Sequence, residues 1–394
     1  MSRLQPSHAD SVQTPTWLDI SQCHVSDLAR IVQTTPTQRD DCPLAGAILQ
    51  GVPVYDCAGL RSVPRQALMA EWASVWADGP GVMVLQGVFD DLAVVDAATA
   101  LFQALIAEGR LNGSGADHFA KPGANDRVWN ALEKMCLRAP ELFAAYYGNE
   151  MLALACEAWL GPAYQVTSQV NCVNPGGQAQ MAHRDYHLGF YAGASAARFP
   201  AHVHKLSPLL TLQGAVAHVD MPVESGPTLY LPHSQKYLRG YLVAGHPEFQ
   251  AFFDAHHVQL PLKKGDAVFF NPALMHAAGH NRSAHIHRMA NLLQVSSAFG
   301  RAMESVDRVR MSQALYPALL AMQQANTLTA AGIERAIAAC AEGYAFPTNL
   351  DRDPPLGGLA PASQQDLLRR ALAEQWPADQ LNEALLAQAS KKIT

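Results

Sequence analysis

Short runs of apolar and β-branched residues begin at about position 163, and Gly, Pro and Asp turns separate them. Runs of this kind are typical of strands in a sheet. Helices do not alternate with these strands, which disfavours a parallel α/β fold. The roughly seven or eight strands predict a double-sheet jelly roll, the double-stranded β-helix. The runs are AYQVTSQVNCV, LLTLQGAVAHVD, GPTLYLPHS, HVQLPL, DAVFFNP, ALMHAAG and HRMANLLQVSSAF.

Apolar positions at helical spacing flank this β-rich region on both sides. Residues 90–109 begin with Asp, end with Gly and carry apolar residues at helical spacing, and 140–160 also have helical character. We therefore expect a mainly β core with flanking α-helices and a helical C-terminal region. A loop-rich leader with one or two short helices occupies 1–75, the jelly-roll domain 76–300 and the helical region 301–394. The apolar stripes of the last helices suit packing on the core, or equally a homodimer contact.

Composition and charge narrow the class of protein. The chain has 394 residues, 49% of them hydrophobic and 16% charged, so it can bury a large core and is not disordered. A net charge of −6 without a basic stripe argues against nucleic acid as a partner. The seven scattered cysteines form no CxxC pair, and no apolar run reaches membrane-spanning length. We expect a cytoplasmic protein with no membrane partner.

The stretch QMAHRDYHLGF contains His183 and Asp185, two residues apart. In a strand, side chains at i and i+2 point to the same face. Two histidines and one carboxylate on one face of an octahedron hold ferrous iron in oxygenases, so the pair needs a second, distant histidine. His276, which follows KKGDAVFFNPALM, is the best candidate. Arg288 lies twelve residues further on, and its guanidinium suits a carboxylate.

The ordered set HxD, distant His, GxNxS and downstream Arg resembles the phytanoyl-CoA dioxygenase family of iron(II)/2-oxoglutarate oxygenases. ESGPTLYLPHSQK and MVLQGVF resemble the family's stretch before the distal histidine and its opening strand, so the resemblance spans about 80–298. It implies that His183, Asp185 and His276 bind iron and that Arg288 anchors 2-oxoglutarate. The family often has a hydroxyl residue two positions after the distal histidine, where this chain has Ala278.

Several residues have a less defined role. Ser283 or Tyr186 is a candidate for the hydroxyl that Ala278 lacks, and Arg282 is the reserve for Arg288. Since the family's arginine often lies one position earlier, His287 occupies its place here. Asn171 and Gln180 flank the turn before HxD and are candidates to line the pocket, Asn171 for the co-substrate and Gln180 for the substrate.

The segment 117–135 allows two interpretations. It is either a solvated loop with a helix cap at Asn125 or Asp126, or a lid whose Lys121 or Arg127 contacts the substrate.

Two further histidine hypotheses remain open. His187 is an alternative ligand to His183, although only His183 has a carboxylate at i+2, and otherwise it is a candidate substrate contact. His276, His280, His285 and His287 could instead form a separate zinc site.

The predicted function is an iron(II)/2-oxoglutarate-dependent dioxygenase that uses O2. It hydroxylates, or otherwise oxidises, a C–H bond of a small-molecule metabolite and releases succinate and CO2. Asp185 disfavours the related halogenases, which lack the carboxylate ligand. Two alternatives stay open: a cupin-type metalloenzyme that does not use 2-oxoglutarate, and a non-catalytic relative that binds a small molecule.

Overall fold

A large sheet of eight strands forms the centre of the computed structural model, which describes residues 15–112 and 123–393. The strand order is β1-β2-β3-β9-β6-β11-β5-β4, and every neighbouring pair is antiparallel except β2 and β3. The strands are β1 (Ala47–Leu49), β2 (Val52–Asp56), β3 (Val82–Gln86), β4 (Asn125–Val128), β5 (Gln165–Val173), β6 (Thr211–Ala217), β7 (Leu229–Tyr230), β8 (Val258–Gln259), β9 (Ala267–Phe270), β10 (His276–Ala277) and β11 (Arg288–Ser296).

A smaller sheet of three short strands has the order β10-β7-β8. Isolated bridges between His183 and His276 and between Met221 and Leu262 extend the same pairing. Each apolar run of the β-rich region contains one observed strand, so the predicted mainly β core is confirmed. The Gly, Pro and Asp turns make these strands shorter than the apolar runs, but each strand lies within the run that predicted it.

The two faces of the large sheet differ because side chains alternate along a strand. On β11, Met289, Leu293 and Val295 belong to the main hydrophobic core, whereas Arg288 and Gln294 line a cavity on the other face. The helices cover the core face, and the short strands of the small sheet contribute to the cavity. This alternation places Arg288 and Gln294 in the cavity and the apolar residues of the same strand in the core.

Fifteen α-helices in the described residues flank the sheets. Those after residue 300 pack on α5, α6 and α7 and extend the main core, as expected for a helical C-terminal region. A contact between two copies through them stays a prediction. The helices are α1 (Val25–Thr34), α2 (Cys57–Leu60), α3 (Arg65–Ala77), α4 (Leu92–Leu111), α5 (Ala131–Arg138), α6 (Pro140–Tyr147), α7 (Glu150–Leu160), α8 (Gly193–Ala196), α9 (Ala201–Leu206), α10 (Gly240–Val243), α11 (Pro247–His256), α12 (Arg308–Ala325), α13 (Ala330–Cys340), α14 (Gln364–Ala373) and α15 (Ala378–Lys391).

Helix α4 is long and apolar enough to cross a membrane, by length and composition alone. Its Val95, Ala98 and Phe102 are buried in the main hydrophobic core, and Asp91 caps its first turn. A core helix of a soluble protein passes the same test, so this feature is weak evidence for a span.

Two segments differ from the sequence expectation. The region 1–75 contributes more than loops and short helices, because 47–56 form β1 and β2 at the edge of the large sheet. The solvated-loop interpretation of 117–135 is wrong for Asn125 and Asp126, which are buried in β4. Polar residues disfavour a strand locally, but here β4 pairs with β5 and the Asp126 carboxylate accepts hydrogen bonds from Arg110.

Candidate metal centre

Backbone pairing brings the two ligand segments together. His183 and His276 form an antiparallel bridge in which each N–H donates to the other residue's carbonyl, at 3.0 and 3.1 Å. The Asp185 N–H donates to the carbonyl of Pro272 at 3.0 Å. Segments that are distant in the sequence are thus aligned by main-chain hydrogen bonds, which do not depend on a bound ion.

The three side chains converge on one point. The Nε2 atoms of His183 and His276 lie 3.7 and 3.4 Å from the two carboxylate oxygens of Asp185. One ligand atom from each residue lies within 4.8 Å of the other two, which is close enough to hold a metal ion. Both histidines donate Nδ1–H to a carbonyl two residues earlier, at 2.9 Å. This bond fixes the tautomer and leaves Nε2 free as a metal donor.

The protonation states also suit a cation. Burial disfavours ionisation of Asp185, but hydrogen bonds and the nearby histidines outweigh it and hold its pKa well below the usual range. Burial and the neighbouring His276 lower the pKa of His183, so its imidazole is neutral at pH 7. A carboxylate with two imidazoles is the donor set that ferrous iron takes in oxygenases, so the residues fit this metal.

The triad opens into a cavity of about 730 Å³ between the sheets. Its volume is typical of pockets that enclose small organic ligands. Arg288, Asn171, Tyr186, Arg127 and Gln180, which the sequence singled out, all line it. Lys121 lies outside the described residues.

Arg288 is a buried cation at the start of β11. It is 7% exposed, and no carboxylate of the described residues lies within ion-pair distance of its guanidinium. Burial lowers its pKa to about 10, so it stays charged at neutral pH. A buried charge needs a partner, and the cavity is the space from which an anion can supply one. Arg282 is exposed and does not line the cavity.

Ser283 and His187 lie outside the cavity lining. The Ser283 hydroxyl donates to Asn281 Oδ1 at 2.6 Å and accepts from the Ile286 N–H, so it stabilises the turn before β11. His187 is half-buried, and its Nε2 lies 3.3 Å from the Thr211 hydroxyl. Neither residue contacts the cavity in this geometry.

The other histidines do not form a second cluster among the described residues. His285 and His287 are exposed, and His287 Nδ1 lies 2.8 Å from Asn174 Oδ1. The separate zinc site is therefore wrong for the part of the chain that the structure describes.

Tyr186 lies immediately after the ligand Asp185, in a strained turn. Both Tyr186 and His187 have positive φ angles, 64° and 46°. Non-glycine residues in this region cost free energy and are held there by surrounding contacts. The Tyr186 hydroxyl donates to Gln294 Oε1, which ties the turn to β11.

The cavity residues that the sequence analysis missed include Gln169, Gln213 and Tyr230. Gln213 Nε2 donates to Asp185 Oδ2 at 2.6 Å, and the Tyr230 hydroxyl has no hydrogen-bond partner among the described residues. Buried glutamines at alternating strand positions were the available signal, since a strand interior rarely buries an amide without a reason.

Comparison with solved structures found distant similarity. The non-heme alpha ketoglutarate dependent epimerase SnoN from nogalamycin biosynthesis is 20% identical, with a TM-score of 0.40 over 59% of this chain and 82% of that chain. The carbocyclase SnoK from the same biosynthesis is 19% identical, with a TM-score of 0.41 over 57% and 83%. AviO1 from Streptomyces viridochromogenes Tue57 is 19% identical, with a TM-score of 0.43 over 61% and 98%. At these scores the likeness carries no argument about activity.

Sequence comparison gives a clearer result for the family. No curated protein sequence matches the chain significantly. The family model of phytanoyl-CoA dioxygenase (PhyH) matches residues 77–290, more than half of the chain. The matched span contains the metal-binding cluster and Arg288 and agrees with the resemblance seen in the motifs. The chain belongs to the phytanoyl-CoA dioxygenase family.

Proposed function

We propose that the protein is an iron(II)/2-oxoglutarate-dependent oxygenase that oxidises a C–H bond of a small, neutral metabolite. The observation that carries this proposal is the cluster of His183, Asp185 and His276 at a cavity that also contains the buried Arg288. The alternative without 2-oxoglutarate leaves that buried cation unexplained. The large and small sheets on two sides of the cavity support a double-stranded β-helix.

Iron(II), 2-oxoglutarate and O2 are the cofactors of this family. His183 and His276 would hold the metal through Nε2, and Asp185 through its carboxylate. Arg288 would bind the distal carboxylate of 2-oxoglutarate. When bound, the cofactors supply the oxidant for a C–H bond, with succinate and CO2 as co-products.

Tyr230 and Asn171 are neutral cavity residues near Arg288 that could also hydrogen-bond to 2-oxoglutarate. The Tyr230 hydroxyl is buried, and its strand neighbour in the small sheet is the ligand His276. Asn171 is 7% exposed, and its Oδ1 has no partner in the described part of the chain. Tyr230, which the sequence analysis missed, therefore replaces Ser283 as our candidate for the hydroxyl that Ala278 does not provide.

The charges of the cavity support a neutral substrate. Among the described lining residues, Asp185 is the one carboxylate, and it belongs to the metal site. Arg184 donates to a backbone carbonyl, and Arg127 donates to Gln169 Oε1 at 2.8 Å. With Arg288 assigned to 2-oxoglutarate and Asp185 to the metal, a cationic substrate would be buried without an opposite charge, and an anionic one would have to replace the hydrogen bonds that Arg127 and Arg184 already make.

The cavity side chains that can still form hydrogen bonds are neutral, and part of the cavity mouth is apolar. The Gln213 Oε1 is a buried amide atom without a partner among the described residues. Phe190 and Met181 also line the cavity while 59% and 67% exposed, so they lie at its mouth. A molecule with an apolar body and hydroxyl or amide groups matches both features.

Anaerobic titration with iron(II) and 2-oxoglutarate tests the co-substrate. We expect the weak visible charge-transfer band of the chelate in the wild-type protein. Arg288→Ala should weaken 2-oxoglutarate binding by roughly 30-fold or more, because a buried charged hydrogen bond contributes about 2–5 kcal/mol. Arg282→Ala is the matched control and should bind normally. No band in the wild type, or loss of binding in the Arg282 variant alone, would contradict the assignment.

The substrate class is tested by following succinate release with pairs of compounds that share one ring system. A primary amide should accelerate succinate formation more than the matching carboxylate or ammonium compound does. Faster succinate formation with either charged compound would overturn the neutral-substrate proposal while leaving the co-substrate proposal intact.

A further inference from the structure

Among the described residues, Gln213 on β6 is the one residue besides the candidate ligands whose side chain hydrogen-bonds to the Asp185 carboxylate. Its Nε2 donates to Asp185 Oδ2 at 2.6 Å, a short distance typical of a hydrogen bond to an ionised carboxylate. The Gln213 side chain is 3% exposed, so water does not compete for this bond. The contact is therefore a fixed part of the site.

The strand register explains why Gln213 reaches the carboxylate. Gln213 faces Phe270 on β9 and Gln294 on β11, in the centre of the large sheet. The Phe270 ring packs against the imidazole of His276 at a tilt of 60°, with ring centroids 4.7 Å apart, and Gln294 accepts a hydrogen bond from the Tyr186 hydroxyl. β9, β6 and β11 thus each place a side chain beside the ligand segments, and the Gln213 side chain bonds directly to the Asp185 carboxylate.

We infer that Gln213 is a positioning residue that makes Asp185 bind the metal through one oxygen. With Oδ2 engaged by the amide, Oδ1 is the oxygen left to coordinate. A carboxylate that uses one oxygen takes one coordination position, which keeps the remaining positions open for the co-substrate and O2. This inference rests on the proposed function and concerns how the site is arranged, rather than whether it binds metal.

A purely structural role explains the geometry less well. The Gln213 Oε1 is buried and has no partner among the described residues, so the amide is not held by a second hydrogen bond. An amide that leaves one buried atom unsatisfied costs free energy, which a packing role would not require. Its single bond is directed at the metal ligand.

The test is cobalt(II) binding to the metal-free full-length protein, followed by visible absorption. Gln213→Met keeps the side-chain length and removes the donor. We expect about 10-fold to 100-fold weaker cobalt binding, the usual effect of losing a partner of a metal ligand. We also expect a changed cobalt spectrum, because Asp185 can then coordinate through both oxygens. Gln213→Leu provides a second donor-free variant if the first does not fold.

Gln165→Met is the matched control, because Gln165 lies on β5 of the same sheet, outside the cavity lining, and its amide donates to the carbonyls of Ser297 and Gly300. It should keep the wild-type cobalt affinity and spectrum. Wild-type affinity and spectrum in a folded Gln213 variant would overturn the inference, as would equal losses in both variants. If the wild-type protein itself binds no cobalt, the proposed metal site fails instead, so the two failures are distinguishable.

Discussion

Two buried asparagines on neighbouring strands of the large sheet show how its faces differ. Asn291 faces the helices, and its Nδ2 donates to the hydroxyls of Tyr146 and Tyr147 at 3.3 and 3.2 Å. Asn171 faces the cavity, and its Oδ1 has no partner among the described residues. Both asparagines leave Oδ1 without a partner among the described residues, but that of Asn171 borders an open cavity in which a ligand can satisfy it. The helix face is closed by packing, whereas the cavity face has room for a ligand.

The largest expected effect comes from a ligand on the cavity face. His183→Ala should abolish metal-dependent succinate formation, because a three-ligand site loses one donor. The free energy of unfolding of the metal-free protein should change by less than about 1 kcal/mol, since His183 is 37% exposed and packs little. Succinate assays and urea denaturation measure the two quantities. A large loss of stability would show that His183 also stabilises the fold, which contradicts the proposed difference between the helix face and the cavity face.

The converse change is Leu293→Ala on the helix face, where Leu293 is 2% exposed in the main core. The free energy of unfolding should fall by about 2–5 kcal/mol, because a cavity remains where the side chain was. Cobalt affinity of the folded protein should stay within a few-fold of the wild type. Weaker binding together with weaker folding would show that the two faces are coupled.

A pH-dependent effect should come from His218, which belongs to the helix face. It is 1% exposed and lies between Thr99 and Tyr146 at 2.8 and 3.0 Å, and burial lowers its pKa to about 3. In the unfolded chain His218 is therefore protonated below about pH 6.5, whereas in the folded chain it stays neutral until the pH approaches 3. Stability falls as pH drops from about 6.5 towards 3, by about 1.4 kcal/mol per pH unit for this group.

His218→Gln removes this titration while keeping a polar atom near Tyr146. Urea denaturation of both proteins at several pH values should give a shallower slope for the variant. Parallel slopes would show that His218 is protonated in the folded protein or does not control its acid stability.

The smallest expected effect belongs to Tyr186→Phe, which removes the hydrogen bond to Gln294. Losing one such bond costs about 0.5–1.5 kcal/mol. Because Tyr186 lines the cavity, we expect a several-fold rise in KM for 2-oxoglutarate or substrate, with cobalt affinity unchanged. A change in cobalt affinity would mean that the turn, and not the ligand segments, positions Asp185.

The sequence predicted the three residues that the structure brings together as a possible metal site, because the HxD spacing is local and specific. His183 and Asp185 were predicted from their i, i+2 spacing, and Arg288 was predicted from its position at the start of the next strand. The strands of the β-rich region were equally readable from their turns. These features depend on residues that are close together in the chain, so they can be predicted from a single sequence.

What the sequence did not predict depends on pairing between distant strands. β4 is built from Asn125, Asp126, Arg127 and Val128, and it is a strand only because β5 lies beside it. Gln213 reaches Asp185 through the register of the large sheet, which no local pattern encodes. Ser283 had the right chemistry, but its hydroxyl is used within its own turn.

The backbone bridge between His183 and His276 has a consequence for how the protein acquires its cofactor. Because main-chain hydrogen bonds align both imidazoles, their alignment does not rest on metal coordination alone. In many small metalloproteins the ion is needed for the chain to fold at all. We therefore expect folding and metal loading to be separate events in this protein, so a chelator should remove the ion from a chain that keeps its fold.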